Sequence, residues 1–314
     1  MPPRIGSIMI ANSIVDLVGK TPMIRINKSV GPNDATLFAK LEWYNIGGTL
    51  KDRMELYVVE YAEASGLLDK DKSILETTSA NAGIALAMIA SVKGYRTTIV
   101  TPETVSAERR KIIRAFGAEL ILSPGDKGAE GALEIKKKLL EESPEKYVDL
   151  DQFKDPANIL ANYQTTGKEI IEQTNGKVDM VIVGVGTAGT GVGISNRLKG
   201  FNADIKVVGV IPKLGVSKDE TGGSHEPRTT KMFRKDCFDE IIELRKEHVP
   251  ELFEVAKRVA REEGLFIGIS SAAMMYVALK KARELGKGKI IVAILPDNGD
   301  KYVSTDIQGP MYHV

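Results

Sequence analysis

The nine residues Asn45-Ile46-Gly47-Gly48-Thr49-Leu50-Lys51-Asp52-Arg53 set a lysine directly after a glycine turn and directly before an amphipathic helical pattern. A lysine in the first turn of a helix feels the positive end of the helix dipole, which disfavours its ammonium form. A neutral lysine is a nucleophile, suited to Schiff-base chemistry with a carbonyl. Further on, Gly184-Val185-Gly186-Thr187-Ala188-Gly189-Thr190 follows a strand pattern and opens a helical one. Its glycines let the backbone approach an anion, a helix N-terminus offers unpaired N–H donors, and the two threonines add hydroxyls. That is a phosphate cradle on physical grounds. It lacks the Gly-Lys-Ser/Thr ending of a nucleotide P-loop. It matches G-x-G-x-x-G literally, but the next strand runs into Pro212 and Lys213 instead of an acid. A dinucleotide site therefore stays open on this pattern alone.

These residues need a frame, and the hydrophobic pattern supplies one. Short β-branched runs at 36–42, 73–76, 97–100, 119–122, 180–183, 206–211, 240–244 and 290–295 read as strands. Helical patterns lie at 54–64, 82–92, 106–115, 129–141, 163–173, 189–198, 251–263 and 271–284. Apolar strands alternating with helices imply parallel sheets buried on both faces. The expected architecture is an α/β protein with two open twisted sheets. Ligands of such sheets bind beyond the carboxyl ends of the strands. Four segments fall there: 76–81, 184–190, 268–271 and 295–299.

Composition narrows the function. The chain has 314 residues, 43% apolar and 27% charged, with a net charge of +1, against the basic excess of a nucleic-acid binder. No apolar run reaches the roughly 20 residues of a membrane span, and residues 1–14 show no signal-peptide pattern. Cys237 is the one cysteine, so intrachain disulfides are impossible and a reducing cytoplasm is the expected compartment. The three histidines, His225, His248 and His313, have no metal-ligand spacing.

Taken together, the segments resemble one family. Leu17-Val18-Gly19-Lys20-Thr21-Pro22, the Lys51 segment, Thr78-Ser79-Ala80-Asn81-Ala82-Gly83, Asp155-Pro156-Ala157-Asn158 with Thr165-Thr166-Gly167, Gly186 to Thr190, Gly268-Ile269-Ser270-Ser271 and the run from Leu295 to Thr305 occur in order. They are similar to the motifs of the fold-type II (tryptophan synthase β-like) pyridoxal-phosphate enzymes, in the cysteine synthase and cystathionine β-synthase group. The resemblance covers about Val15 to Asp306.

It implies pyridoxal 5'-phosphate as cofactor, held covalently by Lys51, which also moves the substrate Cα proton. Asn81 would bond the cofactor's ring oxygen. Gly186, Thr187, Ala188, Gly189 and Thr190 would hold its phosphate, and Asn298 would face its ring nitrogen. Thr78, Ser79, Asn81 and Gln152 would bind the substrate carboxylate. The implied division is a large domain of 1–44 plus 151–314 and a small mobile domain of 45–150. The implied reaction is β-replacement, making L-cysteine from O-acetylserine or O-phosphoserine and sulfide in a homodimer. Serine with homocysteine, β-elimination of cysteine to sulfide, and a non-catalytic cofactor-binding homologue are the alternatives.

The chain departs from the family pattern at Ala80 and Ala82 in the substrate loop, at Ile46, and at Asn162. Ala188 replaces a glycine, which is acceptable only with an ordinary backbone angle. The 224–237 stretch replaces a glycine-rich active-site loop with a basic one. That stretch reads either as a rebuilt surface loop with solvated charges or as a place where Arg228, Lys231 or Arg234 meets the phosphate of a phosphorylated amino donor, since arginine forks match phosphate.

Overall fold

The computed structural model describes residues 10–78, 81–214 and 230–303. Two sheets form. The larger contains β1 (Met23–Arg25), β2 (Thr36–Leu41), β7 (Met180–Gly184), β8 (Lys206–Lys213), β9 (Glu240–Arg245) and β10 (Ile290–Leu295), in the order β1-β2-β10-β7-β8-β9. Only the β1–β2 pairing in it is antiparallel. The smaller is all parallel, in the order β5-β4-β3-β6, from β3 (Ser73–Thr77), β4 (Arg96–Pro102), β5 (Glu119–Ser123) and β6 (Tyr147–Val148).

The helices are α1 (Lys51–Ala64), α2 (Asn81–Lys93), α3 (Ala107–Ala115), α4 (Gly128–Glu142), α5 (Ala157–Gln164), α6 (Thr166–Gln173), α7 (Gly189–Phe201), α8 (Val249–Glu263) and α9 (Ile269–Leu285). One face of the large sheet packs on α8 and α9, where Met274 and Met275 are fully buried. The other packs on α6 and α7. In the small sheet α1 and α2 fill one face and α4 the other. Burial on both faces explains why β10 is an unbroken apolar run.

Every strand and helix expected from the pattern is present, with one correction. The helical pattern at 163–173 is two helices, α5 and α6, because Thr165 takes φ −113, ψ −83 and breaks the run. The strands β1 and β6, of 3 and 2 residues, carry too little periodicity to be read from sequence.

The Lys51 turn is tied to both ends of the chain. Gly19 N–H donates to Asn45 Oδ1 at 2.7 Å, and Leu50 N–H to Pro296 O at 3.0 Å. Lys301 Nζ donates to the carbonyls of Gly47 and Gly48 at 3.1 and 2.8 Å. Beneath the turn lies a buried ionic cluster. Arg53 Nε meets Glu42 Oε2 at 2.7 Å, Arg53 Nη1 meets Glu169 Oε1 at 2.6 Å, and Lys40 Nζ meets Glu169 Oε2 at 2.7 Å. The Thr21 hydroxyl donates to Glu42 at 2.8 Å, while Arg53 and Lys40 donate to Thr21 Oγ1.

Candidate active site

Lys51 is the first residue of α1. Its Nζ lies 3.5 Å from Gln152 Oε1 and 3.9 Å from Met54 Sδ, with no carboxylate at bonding distance among the described residues. Its pKa is lowered, first by burial, against the upward pull of Glu55 and Glu76. The helix-dipole argument thus gives the right sign, but desolvation is the leading cause.

Gln152 links the amine to the glycine loop. Its backbone carbonyl accepts from Asn158 Nδ2 at 2.9 Å, and the same amide donates to Thr187 Oγ1 at 3.1 Å. Gly189, where α7 begins, has Asn158 pressed on it: a Cβ there would sit 2.2 Å from Asn158 Oδ1. Gly186 is the reverse case, exposed, and a Cβ there would meet no atom within 4 Å. The N-cap of α7 supplies no side-chain hydrogen bond to the donors of its first turn, and among the described residues none takes its place. Thr187 and Thr190 line this end and are buried.

Ala188 sits at φ +72, ψ −16, in the left-handed region. The expectation of an ordinary backbone angle is therefore corrected. Left-handed geometry costs a non-glycine residue about 1–2 kcal/mol. Glycine's extra freedom in the unfolded chain offsets about 0.4–1 kcal/mol of this. Ala188→Gly should raise unfolding free energy by up to about 1 kcal/mol, read by urea denaturation; a loss of stability would show that the methyl's packing outweighs the strain.

Asn81 opens α2 and donates through Nδ2 to Asp297 Oδ2 at 2.7 Å. Asp297 Oδ2 also accepts from the Tyr302 hydroxyl at 2.6 Å. Asn81 Oδ1 and Asp297 Oδ1 are buried with no hydrogen-bond partner among the described residues. Thr78 follows β3 and donates its N–H to Val100 O at 3.2 Å, while its carbonyl accepts from Thr101. Ser79 and Ala80 lie outside the described residues, as does Arg228. Asn298 is half-buried and gives its amide to Asp300 at 2.7 Å, so that amide is engaged outside the crevice. Lys231 and Arg234 are exposed, and Thr230 beside them donates to Thr187 O at 3.1 Å. Asp297 and Asn158, which hold Asn81 and Thr187, carried no role in the sequence reading. Both stood inside quoted motifs, Asn158 at the end of Asp155-Pro156-Ala157-Asn158 and Asp297 in the run from Leu295 to Thr305.

Asp52 is fully buried. Its Oδ2 accepts the Gly47 N–H at 2.5 Å and its Oδ1 has no partner. Burial pushes its carboxyl up to about 7 from 3.8. The folded state therefore keeps a proton that the unfolded chain releases, and stability falls as pH rises from about 4 to about 7. Asp52→Asn should remove that fall. The variant's Tm relative to the parent should be higher at alkaline than at acid pH, and a pH-independent difference would count against a protonated Asp52.

A buried amine with a lowered pKa, the uncapped start of α7 and the buried Asn81 amide lie about the carboxyl ends of β3, β7 and β10. The family described as "Pyridoxal-phosphate dependent enzyme" matches residues 14–297. The chain belongs to the pyridoxal-phosphate-dependent enzyme family.

A cysteine synthase of Staphylococcus aureus is 38% identical over 306 residues, covering 94% of this chain and 96% of that protein. A cysteine synthase structure from Entamoeba histolytica superposes with TM-score 0.85 at 35% identity, over 98% of this chain and 94% of the other. The O-acetylserine-dependent cystathionine β-synthase of Helicobacter pylori gives TM-score 0.85 at 31% identity, over 96% and 99%. The site fits the pyridoxal-phosphate family's cofactor on its own geometry. Lys51 presents an amine whose burial disfavours its charged form, suited to an aldehyde, and the start of α7, with no side-chain cap, presents backbone donors for a phosphate. Among the described residues no helix is long and apolar enough to cross a membrane.

Proposed function

We propose that this enzyme makes L-cysteine by β-replacement, from an activated serine and sulfide. The carrying observation is the buried Lys51 amine, its pKa lowered by burial, joined through Gln152 and Asn158 to the start of α7. Lys51 would hold pyridoxal phosphate, Gly186 to Thr190 its phosphate, and Asn81 its ring oxygen. For the ring nitrogen, Asn298 would have to turn from Asp300. The hydroxyl of Ser270, half-buried near the start of α9, is a second donor for that place. When bound, the cofactor supplies an electron sink for the charge left at the substrate Cα.

The chain's own residues do the rest. Thr78, Ser79 and Gln152 would fix the substrate carboxylate. Lys51 Nζ takes the Cα proton as the Cβ group leaves, then returns it once sulfur has added at Cβ. Asp297 holds the Asn81 amide in place. Residues 45–150 would act as the mobile unit, closing on the 1–44 plus 151–314 unit in a cytoplasmic homodimer. Ser106 Oγ to Lys301 O at 2.8 Å and Arg109 over the Tyr302 ring are contacts that such closure would use.

The test is a visible absorption titration with O-acetylserine, O-phosphoserine, serine and cysteine in turn. One donor should move the cofactor band and sulfide should restore it with cysteine formed. A band that no donor disturbs would favour the non-catalytic homologue. Restoration by homocysteine in place of sulfide would favour the cystathionine-forming reading, which the Helicobacter relative supports. If O-phosphoserine is the donor, Arg228→Ala, Lys231→Ala and Arg234→Ala should depress activity with it selectively; equal loss with every donor would remove the basic loop from the argument.

A further inference from the structure

Glu55 lies one turn beyond Lys51 on α1 and is 2% exposed. Side chains four apart on a helix are neighbours, with about 5–6 Å between Cβ atoms. Neither carboxyl oxygen receives a hydrogen bond from a described residue, and Oε1 is wholly shut off from solvent. An ionised carboxylate so placed would be buried without compensation.

The charged groups that reach it are Lys51 and Asp52 on its own helix, Glu76 on β3 and Lys136 on α4. Lys136 is already shared, with Glu76 Oε1 at 3.3 Å and Asp149 Oδ1 at 2.6 Å. Glu76 also accepts the Thr77 N–H at 2.7 Å. Glu55 thus lies within electrostatic reach of a satisfied acid and of an amine that has no carboxylate at bonding distance among the described residues.

We propose that Glu55 is a positioning residue for Lys51, a buried carboxyl that shares one proton with the lysine amine: ionised, it keeps that proton on Lys51, and protonated, it leaves the amine neutral. The transfer balances within the pair. One proton is lost from the Lys51 ammonium and one is gained by ionised Glu55, without direct contact between the two, leaving a neutral amine and a neutral carboxyl, and the reverse restores both charges. Burial drives both groups the same way, lowering Lys51 and raising Glu55 well above the usual carboxylate range. This inference rests on Lys51 being the cofactor-bearing lysine.

Two measurements on the full chain test it, comparing the parent with Glu55→Gln. The first is carboxyl-carbon NMR of glutamate-labelled protein, where the signal lost in the variant should titrate well above the ordinary glutamate value of 4.5. The second is the rate at which cofactor-free protein captures pyridoxal phosphate as a function of pH. The parent should rise in two steps, and the variant in one, with its midpoint lower by about one pH unit because no carboxylate remains to hold a proton on the amine. Glu55→Met, apolar and of similar length, repeats the comparison if the glutamine variant folds poorly. Overlapping capture profiles, or a Glu55 signal titrating near 4.5, would overturn the proposal. Borohydride reduction and peptide mapping separate the two readings: cofactor fixed on another lysine overturns the role of Lys51 and this inference with it.

Discussion

Lys51→Ala should lower cysteine formation by about 10³-fold or more, since one group both holds the cofactor and moves the proton, and positioned general bases alone contribute about 10²–10⁴-fold. The visible band of the lysine-bound cofactor should vanish in the same variant. Stability should not fall with activity. The Lys51 amine makes only long contacts, 3.5 Å to Gln152 and 3.9 Å to Met54, and its burial opposes its charge. Removing it relieves that desolvation, so Tm should hold or rise, as happens where function is bought with local instability. A variant that keeps a tenth of parental turnover would sink the assignment. So would a variant that is inactive because it has unfolded.

The second large effect lies under the turn. Arg53→Met should destabilise the protein by about 3–5 kcal/mol, because Glu42 and Glu169 are left as buried charges without their main partner. For a chain of this size that corresponds to a Tm drop of roughly 5–8 °C, measured by calorimetry. The pH dependence fixes the cause. Burial works to raise Glu169, but the Arg53 and Lys40 contacts prevail and bring it down to about 2, and Glu42 is also lowered. Carboxylates with depressed folded values contribute stability that is present above their unfolded pKa and lost as pH falls through the folded one. The parent should therefore lose stability between about pH 4.5 and pH 2, and Arg53→Met should flatten that limb. A Tm change within 2 °C, with the acid limb intact, would mean that the cluster orders the turn without stabilising the fold.

Much of this was legible in the sequence because parallel strands buried on both faces must be apolar throughout, as β7 and β10 are. The lysine turn and the glycine loop were legible for a related reason: backbone that approaches a ligand or a neighbour closely constrains residue type. Gly189 shows it, with Asn158 filling the space a Cβ would need. What escaped was set by tertiary contact. Nothing local marks Thr165 as a break between helices, and β6 exists because it completes the edge of β3. Ala188 in left-handed geometry contradicts local preference, since the loop before α7 imposes it. Glu55 escaped as well. A glutamate in a helix reads as solvated surface, and only the packing of α1 on the small sheet shows that it is not.

The order of strands also constrains how the protein is made. β2 and β10 pair along their whole length, Thr36 against Ile290 through Leu41 against Leu295, although most of the chain lies between them. A nascent chain emerging from the ribosome therefore completes every strand of the small sheet while β2 still lacks its inner neighbour. Until β10 is synthesised, the edge of β2 stays open to pairing with other chains. Chains cut off shortly before residue 290 should be captured by chaperones or aggregate, while their 73–148 sheet can already have formed.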